Sequence, residues 1–515
     1  MTARSIAFPL LGSWAVSAGG LRPGPLLLLL ALPVLAALPS GYQGGGGDDW
    51  HYLQAARCWN ASGGWLTGGA CLPTDHWQVR WPLIAPMALA IGWLGESRAS
   101  VQLVPLLYAL GALLLFSSLV ERLFGRGAAL AGGAVLLFTP AFAMTMVQPT
   151  INIVEIAFLL GFGAAALTAL ESGRARWAFA AGLSLALAIA SRETAVMTGL
   201  VAAGAGLFLP AARRRLGIAA AAGAAVPILL EILLFAVRTG DPLRRAALAL
   251  GHVAIPSKEF VGKAGPGGLP LFNPEVIGGW VPACGIDLHW AVNGPVNLIV
   301  HPHYGLTLLA TFVLAIACGR SSLSDPQTRR RLVHLAWAGG LIAFLLIYGL
   351  AIDPKPRMFL LPLCAVAAIC GALASRAWRD GRRALVLAFA LLLPAKAILF
   401  LLSGPDFAPA ERLAAQWLAA RPGEVAIPET TRRNLALVPA AAAARSDDAA
   451  PYVLDIRWSA CSEAPLGAVV EEYGFGASEP RFLPPASPGL TMCLYRRAPR
   501  AGWVQFESVG DSHGG

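Results

Sequence analysis

Residues 100–120 read Ser-Val-Gln-Leu-Val-Pro-Leu-Leu-Tyr-Ala-Leu-Gly-Ala-Leu-Leu-Leu-Phe-Ser-Ser-Leu-Val, a run without one charged side chain. A helix rises about 1.5 Å per residue, so a run of this length crosses the roughly 30 Å hydrocarbon core of a bilayer. Apolar side chains occupy every face rather than one stripe, which a helix on a water-exposed surface does not do. Working outward, runs of the same kind lie at 21–39, 127–143, 151–170, 177–190, 194–209, 216–237, 304–317, 332–350, 358–375 and 384–402. The pattern predicts an all-α polytopic membrane protein with about eleven transmembrane helices. Residues 81–95 are short and punctuated by Pro82 and Pro86, and predict an interfacial helix instead.

Composition points the same way. The chain has 515 residues, of which 56% are hydrophobic and only 13% charged, against roughly a quarter charged in soluble domains. The net charge of +10 does not indicate nucleic acid, because the arginines sit in short loops between apolar runs. Arg122 and Arg126, Arg174 and Arg176, Arg213 to Arg215, Arg329 to Arg331, and Arg376, Arg379, Arg382 and Arg383 fall on one side of the eleven runs. Basic loops stay cytoplasmic, so the opposite face receives loop 40–99, turn 146–150, Arg192, loop 238–303, residues 353–357 and the tail. The N-terminus, with Arg4 and Arg22 before an uncleaved first helix, is then cytoplasmic. The Ala-, Arg- and Gly-rich composition suits a bacterium of high GC content, and hence its inner membrane.

The character changes after Gly404. Residues 411–420 read as an amphipathic helix, and 425–428, 452–458 and 492–496 as short strands between turn residues. The expected organisation is a transmembrane domain over 1–403 and a small periplasmic α/β appendage over 404–515. Cys58 and Cys71 share one outer loop and Cys461 and Cys493 share the tail, where disulfides persist. Cys318, Cys364 and Cys370 lie in spans and read as packing residues. Residues 44–47 are all Gly but lack the Lys-Ser/Thr of a phosphate loop.

Candidate chemistry starts just outside the first span, at Gly47-Asp48-Asp49-Trp50-His51-Tyr52-Leu53-Gln54-Ala55-Ala56-Arg57. Membrane-proximal carboxylates are costly and tend to be functional, and one here can serve as a general base. An Asp after a Gly run also caps helices. Asp-Asp-x-x-Tyr-x-x-x-Ala at the exit of the first span resembles the signature of C-type glycosyltransferases that use polyprenyl-phosphate-linked sugars, among them the protein O-mannosyltransferases and lipid A aminoarabinose transferases. Further on, Arg80-Trp81-Pro82-Leu83-Ile84-Ala85-Pro86 is similar to that family's Arg/Lys-x-Pro-Leu-x-x-Pro. Residues 176–200, with Ala-Ser-Arg-Glu-Thr-Ala in their middle, resemble its Leu-x-Lys/Arg-x-x-Ala hairpin. Thr239-Gly240-Asp241-Pro242-Leu243 is similar to its Gly-Asp-Pro turn, and Pro356-Arg357-Met358-Phe359-Leu360-Leu361-Pro362 to its Pro-Arg-Tyr-x-x-x-x-Pro. The resemblance covers residues 20 to 405.

It implies a membrane enzyme that moves a sugar from a polyprenyl-phosphate donor to a lipid, glycan or protein acceptor on the outer face. Asp48 matches the catalytic acid, Asp49 its companion and Tyr52 the aromatic. Guanidinium stays charged and grips phosphate oxygens in a bidentate fork, which assigns the donor phosphate to Arg80, Arg192 and Arg357. Asp48 would deprotonate the acceptor for in-line attack at the sugar carbon, with inversion. His51, beside the acids, is a substrate-contact candidate by position. Trp50, Trp77 and Trp81 are either a sugar platform or an interfacial belt. Relatives carry a second Asp in the turn before the fourth span, where this chain has Asn152 and, one turn deeper, Glu155; Met358 stands where an aromatic is usual. Asp287, His289, His301 and His303 can hold a divalent metal or touch the acceptor; on spacing they read more simply as a loop-to-helix junction. No cofactor is otherwise implied. The reading from another class is a transporter or lipid flippase, which needs ionisable residues deep within spans; Glu155 and Glu231 are candidates for that depth.

Overall fold

The structure is a computed structural model and describes residues 23–38, 48–62, 71, 76–207, 214–248, 289–349, 356–402 and 408–428, then 431–432, 435, 437–438, 440–441, 444, 450–457, 468–475 and 490–496. Ten helices come first: α1 (Pro23–Ala37), α2 (Asp48–Ser62), α3 (Trp81–Leu94), α4 (Arg98–Phe124), α5 (Arg126–Leu137), α6 (Pro140–Thr145), α7 (Ile151–Ser172), α8 (Ala175–Ser191), α9 (Ala195–Leu207) and α10 (Arg214–Thr239). After the loop that follows α10 come α11 (Trp290–Val300), α12 (Gly305–Ser324), α13 (Pro326–Phe344), α14 (Leu360–Arg379) and α15 (Arg383–Leu402). Most runs read as spans fall on one of these helices; the run 127–143 is divided between α5 and the short α6. Six of them are long and apolar enough by themselves to cross a membrane: α4, α7, α10, α14 and α15, together with α13 and the π-helical turn 345–349 that extends it. The protein is a mainly helical, multi-pass membrane protein.

The outside of the bundle is apolar. Ile218 is 72% exposed, Leu391 72% and Trp337 73%. Patches of this size on a water-facing surface drive association, whereas against lipid tails they cost nothing.

Small residues set how closely the helices approach. Where α8 crosses α10, a Cβ on Gly223 would strike the Phe179 carbonyl and one on Gly182 the Ala220 carbonyl. Where α14 crosses α5, Gly371 sits against the backbone of Ala128 and Gly132. In lipid the apolar effect between helices is weak, so such backbone-to-backbone packing is what holds them together. Gly223→Leu should therefore force α10 off α8 and lower the melting temperature in detergent, at an overpacking cost of about 1–3 kcal/mol. Gly204→Leu, where an added Cβ meets nothing within 4 Å, should leave it unchanged.

The two ends of the bundle differ. At one end Arg122 bonds Thr168 Oγ1 at 2.8 Å, Arg215 the Gly173 carbonyl at 3.2 Å, Arg331 the Leu123 carbonyl and Arg382 the Ala317 carbonyl. Three of these guanidiniums bond backbone carbonyls of neighbouring segments, those of Gly173 and Leu123 lying at helix C-termini. The other end, one length of α7 away and so about 33 Å distant by helix rise, holds the acids of α2.

At that second end α2 packs on α3, and α3 on α4 and α8. A disulfide joins Cys58 to Cys71, and Tyr108 Oη donates to the Pro82 carbonyl at 2.8 Å, seating α3 on α4. Pro82 occupies the first turn of α3, where its missing N–H leaves no bond unmade. Ser97 and Ser100 form a reciprocal capping box that starts α4.

Beyond α15, α16 (Ala408–Ala420) and strands β1 (Val425–Ala426), β2 (Tyr452–Arg457), β3 (Ala468–Phe475) and β4 (Leu490–Arg496) form a sheet of order β1-β2-β4-β3. β1 runs parallel to β2 and the other pairs are antiparallel. Its core joins Ala414, Trp417 and Leu418 of α16 to Val425, Leu454 and Leu494. Three strands and the helix match the sequence reading; β3 was not expected. Its sequence, Ala-Val-Val-Glu-Glu-Tyr-Gly-Phe, carries a glutamate pair and a register shift between Val469 and Glu471 that break the period of two. Glu411 of α16 pairs with Arg98 of α4. Cys461 and Asp287 lie outside the described residues.

Candidate active site

Asp48 and Asp49 are the first two residues of α2. The carboxylate of Asp48 does not serve as a helix cap: Oδ1 accepts from the indole N–H of Trp77 at 2.9 Å, and Oδ2 faces Arg357 Nη2 at 4.0 Å. The Trp77 ring is itself fixed, stacked on His51 with centroids 4.1 Å apart and planes 8° from parallel, with His76 tilted against it at 3.8 Å. Asp48 is thus held by one oxygen while its side chain stays 38% exposed. Desolvation pushes the neighbouring Asp49 up to about 6; the Arg357 guanidinium opposes that and the Asp48 charge adds to it.

Arg357 lies in the 3-10 turn 356–359 that opens α14. Its side chain is 37% exposed and its ion-pair partner is Asp48. Arg357 also lines a narrow cleft with Glu155, Thr194, Thr198, Leu346 and Met358 among others. The π-helical turn that ends α13 supplies Leu346.

The other two arginines expected to bind phosphate are already engaged. Arg192, the residue that closes α8, is 7% exposed; it pairs with Glu155 Oε2 at 3.5 Å and rests on Met358 Sδ at 2.6 Å. Thr194 donates to the second Glu155 oxygen at 2.8 Å. Arg80, 6% exposed, pairs with Glu193 and bonds the Ser191 carbonyl at 3.2 Å. Two more expectations change with the geometry. Glu155 anchors Arg192 while also lining the cleft, and Tyr52, expected to touch substrate, is 1% exposed in the apolar core. Burial raises the Tyr52 phenol well above its ordinary value. Asn152 faces Met358 Sδ at 3.7 Å.

The sequence reading missed Arg245. Its guanidinium spans Glu231, Glu193 Oε1 at 3.2 Å, the Ala190 carbonyl at 3.0 Å and the Val79 carbonyl. One side chain thereby links the backbone beside Arg80 to the backbone beside Arg192. Burial alone would raise the Glu193 carboxyl, but the Arg80 and Arg245 guanidiniums overcome it and hold the group below the ordinary carboxylate value. A signal for Arg245 existed: two adjacent arginines after the Gly-Asp-Pro turn lie on the face where the charge rule puts few. Glu231 and Glu155, the acids weighed as transport residues, are both paired with arginine, and Trp81 Nε1 also reaches Glu231 at 3.4 Å.

His301 and His303 stand together before α12, with centroids 4.6 Å apart, and Lys396 Nζ bonds the intervening Pro302 carbonyl at 2.6 Å. Burial and the Lys396 charge depress His301 to about 4 and His303 to about 3, the latter also through His301. His289 instead caps α11, its Nδ1 accepting from the Ala291 N–H at 3.3 Å. No group of three metal-ligating side chains occurs among the described residues.

Residues 79–237 match the family described as dolichyl-phosphate-mannose-protein mannosyltransferase. The match agrees with the resemblance read from the motifs. It includes Arg80, Glu155, Arg192 and Glu193, while Asp48, Arg245 and Arg357 lie outside it. No curated protein matches the chain. Among solved structures, an oligosaccharyltransferase of Archaeoglobus fulgidus, complexed with zinc and sulfate, is 15% identical, covering 81% of this chain and 61% of its own at a TM-score of 0.48. ArnT from Cupriavidus metallidurans, bound to undecaprenyl phosphate, is 17% identical over 92% of this chain and 99% of its own, at a TM-score of 0.39. The chain spans about three fifths of the archaeal enzyme's length.

Proposed function

We propose that this chain, related over residues 79–237 to the dolichyl-phosphate-mannose-protein mannosyltransferases, is a membrane glycosyltransferase that takes its sugar from a polyprenyl-phosphate donor. The observation that carries the reading is the acid pair: Asp48 is oriented by Trp77, open on its other side, and 4.0 Å from the guanidinium of Arg357. That is a base beside a cation, both at a membrane surface, which is what attack on a lipid-phosphate sugar requires. The leaving phosphate carries its charge already, so no second carboxylate is needed to form a sugar–enzyme bond.

In this reading Arg357 meets the donor phosphate first, and Asp48 removes the proton of the acceptor's hydroxyl or amine. Asp49 sets the charge around Asp48. His51, stacked on Trp77, presents its edge to the sugar. The chain divides into a transmembrane part over 1–403, with eleven spans and a cytoplasmic N-terminus, and a periplasmic part over 404–515, in a bacterial inner membrane. The transporter reading is less favoured, because its two candidate acids are held in arginine pairs.

The test is transfer itself. Purified protein in detergent or nanodiscs, given radiolabelled polyprenyl-phosphate sugars and a membrane extract as acceptor, should move label to acceptor with wild-type chain only. Uptake or lipid flipping that persists in Asp48→Asn, with no transfer from any donor, would overturn the enzyme reading.

A further inference from the structure

Arg80 is a contradiction in the free protein. The resemblance read from the motifs gives it a phosphate to hold, yet its guanidinium is already paired with Glu193. The pairing is incomplete: the buried Nε of Arg80 has no hydrogen-bond partner. A buried guanidinium N–H left unmade costs free energy, so a better acceptor than the present set would be welcomed there.

Glu193 is placed to give way. It is the exposed member of the pair, 35% against 7% for the Arg80 side chain. It bridges two cations with different oxygens, Oε2 to Arg80 and Oε1 to Arg245. Arg245 is fixed independently by Glu231 and by the carbonyls of Ala190 and Val79. If Arg80 were taken by another anion, Glu193 would keep Arg245, and no charge would be stranded. The Arg192–Glu155 pair lacks this property: both side chains are under 10% exposed, and Glu155 has only Arg192 and Thr194 to bond. The four groups Arg80, Arg245, Glu193 and Glu231 sum to zero charge before and after such an exchange, so what changes is only whether Arg80 is free to meet the donor.

We infer that Glu193 is an exchangeable stand-in for the donor phosphate: it occupies Arg80 in the empty enzyme and retreats onto Arg245 when the lipid phosphate arrives. This rests on the glycosyltransferase reading and adds to it a competitor built into the site. Such a competitor lowers donor affinity and keeps a buried guanidinium satisfied between turnovers. It also favours release of the polyprenyl phosphate product, since the carboxylate can return as the phosphate leaves. No bond is made or broken in this exchange; two ion pairs trade partners.

The experiment is equilibrium binding of a sugar-free polyprenyl phosphate to full-length protein in detergent at neutral pH, followed by tryptophan fluorescence. Glu193→Gln should bind it about tenfold more tightly than wild type, because the amide is a weaker rival for Arg80 than a carboxylate. In an Arg80→Gln background the same change should have no effect, since the contested cation is gone. Glu193→Ala should shift affinity in the same direction, and stands in if the Gln variant does not fold. Weaker or unchanged binding in both Glu193 variants would overturn the inference and make Glu193 a support for Arg80. A wild-type chain that binds no polyprenyl phosphate would overturn the glycosyltransferase reading as well.

Discussion

Asp48→Asn is expected to lower the rate of sugar transfer by roughly 100- to 10,000-fold, the span a positioned general base supplies. The substitution is close to isosteric. Its amide oxygen can still accept from Trp77 Nε1, now 2.9 Å from Oδ1, so α2 and the His51–Trp77 stack stay in place. What disappears is the basic oxygen that faces Arg357. Donor KM should therefore change little while kcat collapses, the split that marks an interaction needed only in the transition state. Equal loss in KM and kcat, or a variant with wild-type rate, would remove Asp48 from the chemistry.

The same site carries a pH signature. Burial favours the neutral form of Asp49, raising it to about 6. Below that pH Asp49 holds a proton; above it Asp49 carries its charge. With charged Asp49 as the working form, transfer should fall about tenfold per unit as pH drops below 6, and be flat above. Asp49→Asn, locked neutral, should lose this limb and run at a low, pH-independent rate. Rate measurements from pH about 4.5 to about 8 on both proteins decide it.

Glu155→Ala should be the most destabilising single change in the helical part. Arg192 and Glu155 are both under 10% exposed, so removing the acid leaves a guanidinium buried without its counter-charge. Breaking such a pair costs about 3–5 kcal/mol, a large share of the total stability of a folded protein. Thr194 would lose its acceptor in the same step. The expected result is a lowered melting temperature and a poor yield of folded protein in detergent. Replacing both residues by apolar ones of similar size should restore much of the loss, because a buried ion pair is not in itself stabilising. A Glu155→Ala variant as stable as wild type would mean that water reaches Arg192.

Several of these residues were readable in advance. The motif around Asp48, the Arg80-Trp81-Pro82 start of α3 and the Pro-Arg pair at 356–357 each combine local signals: a turn residue, a charge at the end of an apolar run, a proline at a helix start. Tyr52 was named by the same motif, but its burial depends on α2 packing into the main core, which no local signal records. Arg80, Arg192 and Arg357 were grouped as three equal phosphate ligands. The structure separates them into one open cation, one tied to a bridging carboxylate and one in a sealed pair. Their partners lie far off in sequence: Glu193 is 113 residues from Arg80, and Glu155 is 37 from Arg192. Arg245 escaped notice for the same reason, since each of its partners comes from a different element.

The sequence by itself determined that this is a multi-pass helical membrane protein and where most of its apolar helices run. Those properties are sums over neighbours, because bilayer crossing depends on the hydropathy of one continuous stretch. Only the tertiary structure decided which arginine is open, which acid faces it and which carboxylates are spent on other cations. Ion pairing acts through a few ångströms of space, whatever the chain length between, and in this bundle that space is fixed by helix crossings such as Gly223 on Phe179.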